Sequence, residues 1–156
     1  MTVTMNADEL VADLGRERAR EVAAHIAYLR RLRQLHERGY TQMKLATLVG
    51  VSQPTISEML RRARVNAPDV RPGTHGGTPY EIAARYAAGE LDRDIALREL
   101  TTWRYERPAE PNPIPWANDG APVVEGGFNN QVGRALRDGL LTDEDYDAVL
   151  DALADD

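Results

Sequence analysis

Two capping residues, Thr41 and Ser52, with Gly50 just ahead of the second, leave residues 40–65 little choice of fold. A Thr or Ser before an apolar-periodic run accepts a hydrogen bond from a free amide of the first turn, so each predicts a helix start. The stretch "YTQMKLATLVGVSQPTISEMLRRARV" therefore reads as a short helix from Thr41 to about Val49, a turn, and a second helix from Ser52. Leu45, Ala46 and Val49 face inward on the first helix. Gly50 supplies the positive φ that the turn requires, and Val51 is expected to plug the junction. Pro54 falls in the first turn of the second helix, where its missing N–H is tolerated. Ile56, Met59 and Leu60, at i, i+3 and i+4, turn toward a core, which leaves Gln53, Pro54, Ser57, Glu58 and Arg61 on or near the opposite face. A helix buried all round would not carry that set.

Upstream, no Gly or Pro interrupts Arg16 to Arg38 and Gly39 follows, which predicts one long helix with a glycine stop. At about 100° per residue, Ala19, Val22, Ala23, Ile26 and Leu29 share one side, with Tyr28, Leu32 and Leu35 nearly opposite. The second stripe is close enough in sequence to pack on residues 43–60. The first, around Val22, Ile26 and Leu29, is either the seam of a homodimer or packs within the chain. Most arginines of this helix are expected on a solvated surface.

Gln42, Ala46, Gly50, Val51, Ser52, Ile56 and Met59 are spaced as in the helix-turn-helix of bacterial and phage repressors, which this stretch resembles. The resemblance implies that the second helix enters the major groove of double-stranded DNA. It assigns base-edge contact to Gln53 and Glu58, with Pro54 and Thr55 at the groove surface. Gln can pair bidentately with adenine, and a carboxylate can accept from a cytosine amino group. Phosphate contacts are expected from Gln42, Lys44, Ser52 and Ser57, and from Arg61, Arg62 and Arg64 at the helix exit. Glu58 is repelled by phosphates unless it finds a cytosine.

The net charge of −6 hides a strong polarity along the chain. Residues 16–65 hold eleven Arg or Lys against four Glu, whereas residues 66–156 hold eight Arg against eighteen Asp or Glu. A basic module suited to phosphates precedes an acidic one suited to something else.

The division expected is a DNA-binding domain over 1–65, a linker over 66–77, a helical hairpin over 78–107, a Pro-rich linker over 108–127 and an acidic hairpin over 128–156. His75, in the first linker, is expected to be solvated. Thr78, Pro79 and Glu81 suggest a capping box with proline at the first helical position, Gly89 a stop, and Asp92 the next cap. Trp116, in the Pro-rich tract, is a candidate anchor for a groove. Tyr146, Val149, Leu150 and Leu153 form the last apolar stripe. "AAGELDRD", 87–94, and "RDGLLTDE", 137–144, share a helix–Gly–x–Leu–cap pattern. "RYAAGELDRDIALREL-x-x-W-x-Y", 85–105, and "GGFNNQVGRALRDGLLTDEDYDAVLDAL", 126–153, resemble segments that follow the helix-turn-helix in a group of actinobacterial regulators, some antitoxin-like. No positive charge follows Arg137, and the acidic amphipathic end suits a basic surface on a partner protein, with Tyr146 and Leu150 as contacts.

The overall expectation is an all-α fold: a long N-terminal helix and a helix-turn-helix bundle, then two short helical hairpins joined by Pro/Gly-rich linkers. The function expected is a sequence-specific transcriptional regulator, acting as a homodimer. The alternative is an antitoxin or adaptor whose acidic half neutralises a partner protein. No enzyme motif is present: His25, His36 and His75 lack metal-ligand spacing, and no P-loop or G-x-S-x-G occurs. With no Cys, thiol chemistry is excluded. The carboxylates at 143–147 lack the order of a calcium loop, so neither metal nor cofactor is expected. Without a long apolar run or a secretion signal, the chain is expected in the cytoplasm and not at a membrane.

Overall fold

Helix α1 runs from Ala7 to Glu37 and packs directly against the three helices that follow it. A computed structural model describes residues 4–107, Ile114 and residues 124–155. The helix begins well before Arg16 because Asn6 caps it: its side chain accepts from the Glu9 amide while the Glu9 carboxylate accepts from the Asn6 amide. Gly15 sits exposed inside the helix, a cost of about 1 kcal/mol that the long helix absorbs.

Helices α2 (Gln42–Val49) and α3 (Gln53–Asn66) follow, as their caps predict. The next four helices are α4 (Pro79–Ala87), α5 (Arg93–Thr102), α6 and α7 (Asp143–Ala154). Of these, α6 opens as a π-turn over Asn129–Gly133 and continues as α-helix over Arg134–Arg137. Among the described residues the only extended pairing is an isolated parallel bridge between Glu106 and Gly127. The fold is all-α with a long N-terminal helix, and among the described residues no helix is long and apolar enough to cross a membrane.

Three apolar clusters lie along α1. Leu32 joins Leu45 and Ala46 of α2 with Ile56 and Leu60 of α3. One turn earlier, Ile26 and Leu29, only 6% and 2% exposed, pack on Ala63 and Ala67. Ala19 and Ala23 then join α4 to α7 through Ile82, Ala83, Leu100, Val132 and Val149. The stripe around Val22, Ile26 and Leu29 therefore packs within the chain, one of the two outcomes open to it. Tyr28, expected beside Leu32, is instead exposed and stacks on His25.

The segment 66–77 is not a free linker. Arg30 and Arg33 of α1 donate to the carbonyls of Pro68 and Ala67, at 2.8 and 3.1 Å, and Arg33 also pairs with Asp69. Gly77 is needed for this close approach, since a Cβ there would lie 2.4 Å from the Pro68 carbonyl oxygen. His75, though exposed, is bound twice by Glu99, through its amide and at 2.6 Å through Nδ1.

Arg30 departs from the solvated surface expected of it. It is buried and donates to both oxygens of Glu81. Glu81 also accepts from Arg85 and from the Gly77 amide, so it does not return to the Thr78 amide as a capping box requires. Asp92 stands at the N-cap of α5 without a side-chain cap bond. Thr142 and Asp145 make a full capping box at α7.

The two similar turns fold alike. Gly89 and Gly139 both take positive φ, Leu91 and Leu141 both bury, and both glycines lie against arginines of α1, Arg16 and Arg18.

Candidate nucleic-acid interface

The geometry of α3 follows from what it buries. Ile56, Leu60 and Ala63, at i, i+4 and i+7, are enclosed against α1 and α2. Full burial contributes about 1.5–3 kcal/mol for each large side chain. The Ser52 cap is worth roughly 1 kcal/mol, so packing holds the helix down and the cap decides where it begins. Ser52 lies in the extended region and its Oγ accepts from the Thr55 amide at 3.3 Å. Gly50, in the left-handed region with φ 73, returns its amide to the Ala46 carbonyl and swings α3 across α2. Small Ala46, itself buried, permits the close crossing.

Anchoring the inner face leaves Gln53, Pro54, Thr55 and Ser57 on solvent. Neither α6 nor α7 covers this edge. Gln42, at the start of α2, meets Gln53 through a long amide contact of 3.4 Å, so the first residues of both helices stand together. Lys44 is exposed, with its ammonium 4.6 Å from the centre of the Tyr40 ring. Ser52 spends its hydroxyl locally, on the Thr55 amide and the Thr55 hydroxyl.

The charged residues are coupled to one another. Arg61 donates to Glu58 through Nε and Nη2, at 2.9 and 2.6 Å, and Arg62 reaches the same carboxylate at 3.3 Å. The Arg61 hydrogen bonds hold the Glu58 carboxyl down to about 2, against an ordinary value near 4.5. Glu58 is thus ionised and already engaged, so a cytosine would have to compete with two guanidiniums for it. Arg64 is exposed one turn farther on.

Val51, expected in the junction, is exposed, as are Met43 and Leu48 of α2. They give the polar edge of α3 an apolar border that cap and spacing rules do not reveal.

Of the other contact residues expected, Val22, Ile26 and Leu29 line the interior or its margin. Tyr146 packs partly on the C-terminal cluster, and Leu150 is 39% exposed. Trp116 lies outside the described residues. Asp145, within the acidic end, is buried and accepts from Arg93 at 2.7 Å and from Tyr86 at 3.1 Å. Asp143, Glu144, Asp147 and Asp151 remain exposed. Among the described residues no group of three or more His, Asp or Glu is gathered as metal ligands would be.

No protein-family model, curated protein or solved structure compared with the chain matches it.

Proposed function

We propose that this protein binds double-stranded DNA sequence-specifically and regulates transcription, reading the major groove with the exposed edge of α3. One observation carries the reading: Gln53, Pro54, Thr55 and Ser57 are open to solvent on a helix whose Ile56 and Leu60 are fully enclosed. A rigidly seated helix with a polar, unshielded edge of this length fits the groove. In this reading Gln53 contacts a base edge, while Gln42, Lys44, Arg61, Arg62 and Arg64 face phosphates, at which Glu58 releases its arginines. Met43 and Val51 are placed to touch thymine methyls.

One such unit reads few base pairs, so two copies on a two-fold site are proposed, with their reading helices about 34 Å apart. With Ile26 and Leu29 enclosed, we assign the pairing of copies to Leu10, Val11 and Leu14, left outward at the start of α1 at 54, 69 and 70% exposure. Selecting bound duplexes from a random pool tests both parts. An enriched inverted repeat is expected; a pool left unenriched overturns the reading.

A second reading, an adaptor or antitoxin that holds a basic partner protein on α7, is favoured by Leu150 standing exposed between the exposed Asp147 and Asp151. Reversing charge at Asp147 and Asp151 separates the two. If duplex binding persists and a copurifying protein is lost, the second reading gains.

A further inference from the structure

Two grooves meet beside the C-terminal half of α3. The first, about 460 Å³, has Val22, Ile26, Leu29 and Tyr80 among its lining residues; the second, about 360 Å³, has Arg61, Glu125 and Asn130. Three residues line both: Arg62, Asn66 and Arg134. The junction is thus two guanidiniums and an amide. Carboxylates also line the grooves, Glu21 and Asp138 the first and Glu125 the second, and Arg62 lies 3.3 Å from Glu58, which an anion would have to displace.

Arg134 is the unusual member. Its guanidinium carbon lies 3.7 Å from the centre of the Tyr80 ring, and its Nε is buried without a hydrogen-bond partner. The guanidinium pairs with no carboxylate among the described residues, whereas Arg30, Arg33, Arg85 and Arg93 all do. The platform beneath it is fixed: the Tyr80 hydroxyl donates to Asp138 at 2.6 Å and the Tyr80 amide to Gln131 at 3.1 Å. A half-buried arginine without a counter-ion is costly, and an incoming anion relieves that cost through charge-assisted, two-pronged hydrogen bonds.

We infer that this junction binds a small organic anion with an apolar body. Its carboxylate or sulfonate sits on Arg134 and Arg62 with the Asn66 amide donating, and its ring or chain lies along Val22, Ile26 and Leu29. The combined space is that of an ordinary ligand pocket. The inference does not depend on DNA binding.

The probe is 1-anilinonaphthalene-8-sulfonate, followed by its fluorescence on titration into the full chain. Saturable binding is expected, weakened at least tenfold by Arg134→Gln and unchanged by Arg98→Gln, an exposed arginine outside both grooves. Naphthalene-2-carboxylate should displace the probe and the neutral 2-naphthamide should not. Arg134→Lys keeps the charge but not the planar fork, and should fall between. If Arg134→Gln fails to fold, Arg62→Gln, whose side chain is 56% exposed, carries the same expectation. Absence of saturable binding, equal affinity in the arginine variants, or equal displacement by the amide overturns the inference. So does a loss confined to duplex binding, which would make Arg134 a phosphate contact.

Discussion

Arg30 and Glu81 meet inside the molecule, their side chains 6% and 0% exposed, and join the long helix to α4 across fifty-one positions of sequence. Breaking a buried pair by removing one partner costs about 3–5 kcal/mol, because the other charge stays behind. Glu81→Gln should be the worse change, since it leaves the buried Arg30 charge with no anion and only the Pro68 carbonyl and a neutral amide, whereas Arg30→Met leaves Glu81 with Arg85 and the Gly77 amide. The double replacement Arg30→Met with Glu81→Leu should cost less than the two single changes summed. Denaturant unfolding of the three variants measures this.

Acid should unfold the protein through the same carboxylates. Burial alone pushes Glu81 up, but hydrogen bonds from Arg30 and the Gly77 amide outweigh it and hold the group below its usual 4.5. At Asp145 burial is likewise outweighed, by Arg93 and Thr142, and the group falls below 3.8. A carboxyl lowered by folding adds stability that is complete above its unfolded value and is lost as pH falls through the folded one. The unfolding midpoint should be level above about pH 5 and drop below it. Asp145→Asn should flatten part of that drop. On the alkaline side, burial and Asp138 push the Tyr80 hydroxyl up to about 12, from 10.0. Its contribution is present below pH 10 and is lost as pH rises through 12.

Two glycines separate conformational strain from collision. At Gly50 a Cβ would meet nothing within 4 Å, so Gly50→Ala suffers only the left-handed backbone, about 1–2 kcal/mol. Gly77→Ala drives a Cβ into the carbonyl oxygens of Pro68 and Asp69 and should cost more. Thermal unfolding should rank them in that order; a reversed ranking would show that segment 66–77 does not hold its place against α4.

The fold was legible where signals are local and hidden where they are not. Thr41, Gly50, Ser52 and Gly89 act within a few residues of themselves, so α2, the turn and the ends of α3 and α4 could be read directly. Asn6 with Glu9 is a local signal too, but Gly15 interrupts the run, so the sequence predicts the helix only from Arg16, later than its start at Ala7. The ion pair of Arg30 with Glu81 and the pairing of His75 with Glu99 depend on tertiary contact that no spacing rule encodes. A segment rich in Pro and Gly therefore passed for a linker. At the candidate site, periodicity separated Gln53 and Ser57 from Ile56 and Leu60. It could not show that Glu58 holds Arg61 and Arg62, because rotamers decide that, nor that Arg134 stands beside Arg62.

Gln53 and Lys44 should differ in kind. If Gln53 contacts a base as proposed, Gln53→Ala should cost about 1–3 kcal/mol and relax preference at one position of the site. Lys44→Ala should weaken all duplexes alike and reduce the salt slope by about one. Titration of a selected and a scrambled duplex across salt concentrations distinguishes them.

Glu58→Gln frees Arg61 and Arg62 from their shared carboxylate. Binding to unrelated duplexes should tighten and its salt slope steepen, as more cationic groups become available to phosphates. Unchanged nonspecific affinity would show that these arginines point away from DNA.

The most direct measurement is fluorescence anisotropy of a labelled mixed-sequence duplex titrated with the full chain at about 50 mM salt and again at about 200 mM. For a protein making 6–10 phosphate contacts, affinity should fall by about 10³–10⁵ between the two; Gln53→Ala should leave this nonspecific binding nearly intact. Failure to bind any duplex at the lower salt, by a chain whose circular dichroism shows the mostly helical fold intact, would contradict the assignment of the α3 edge to DNA.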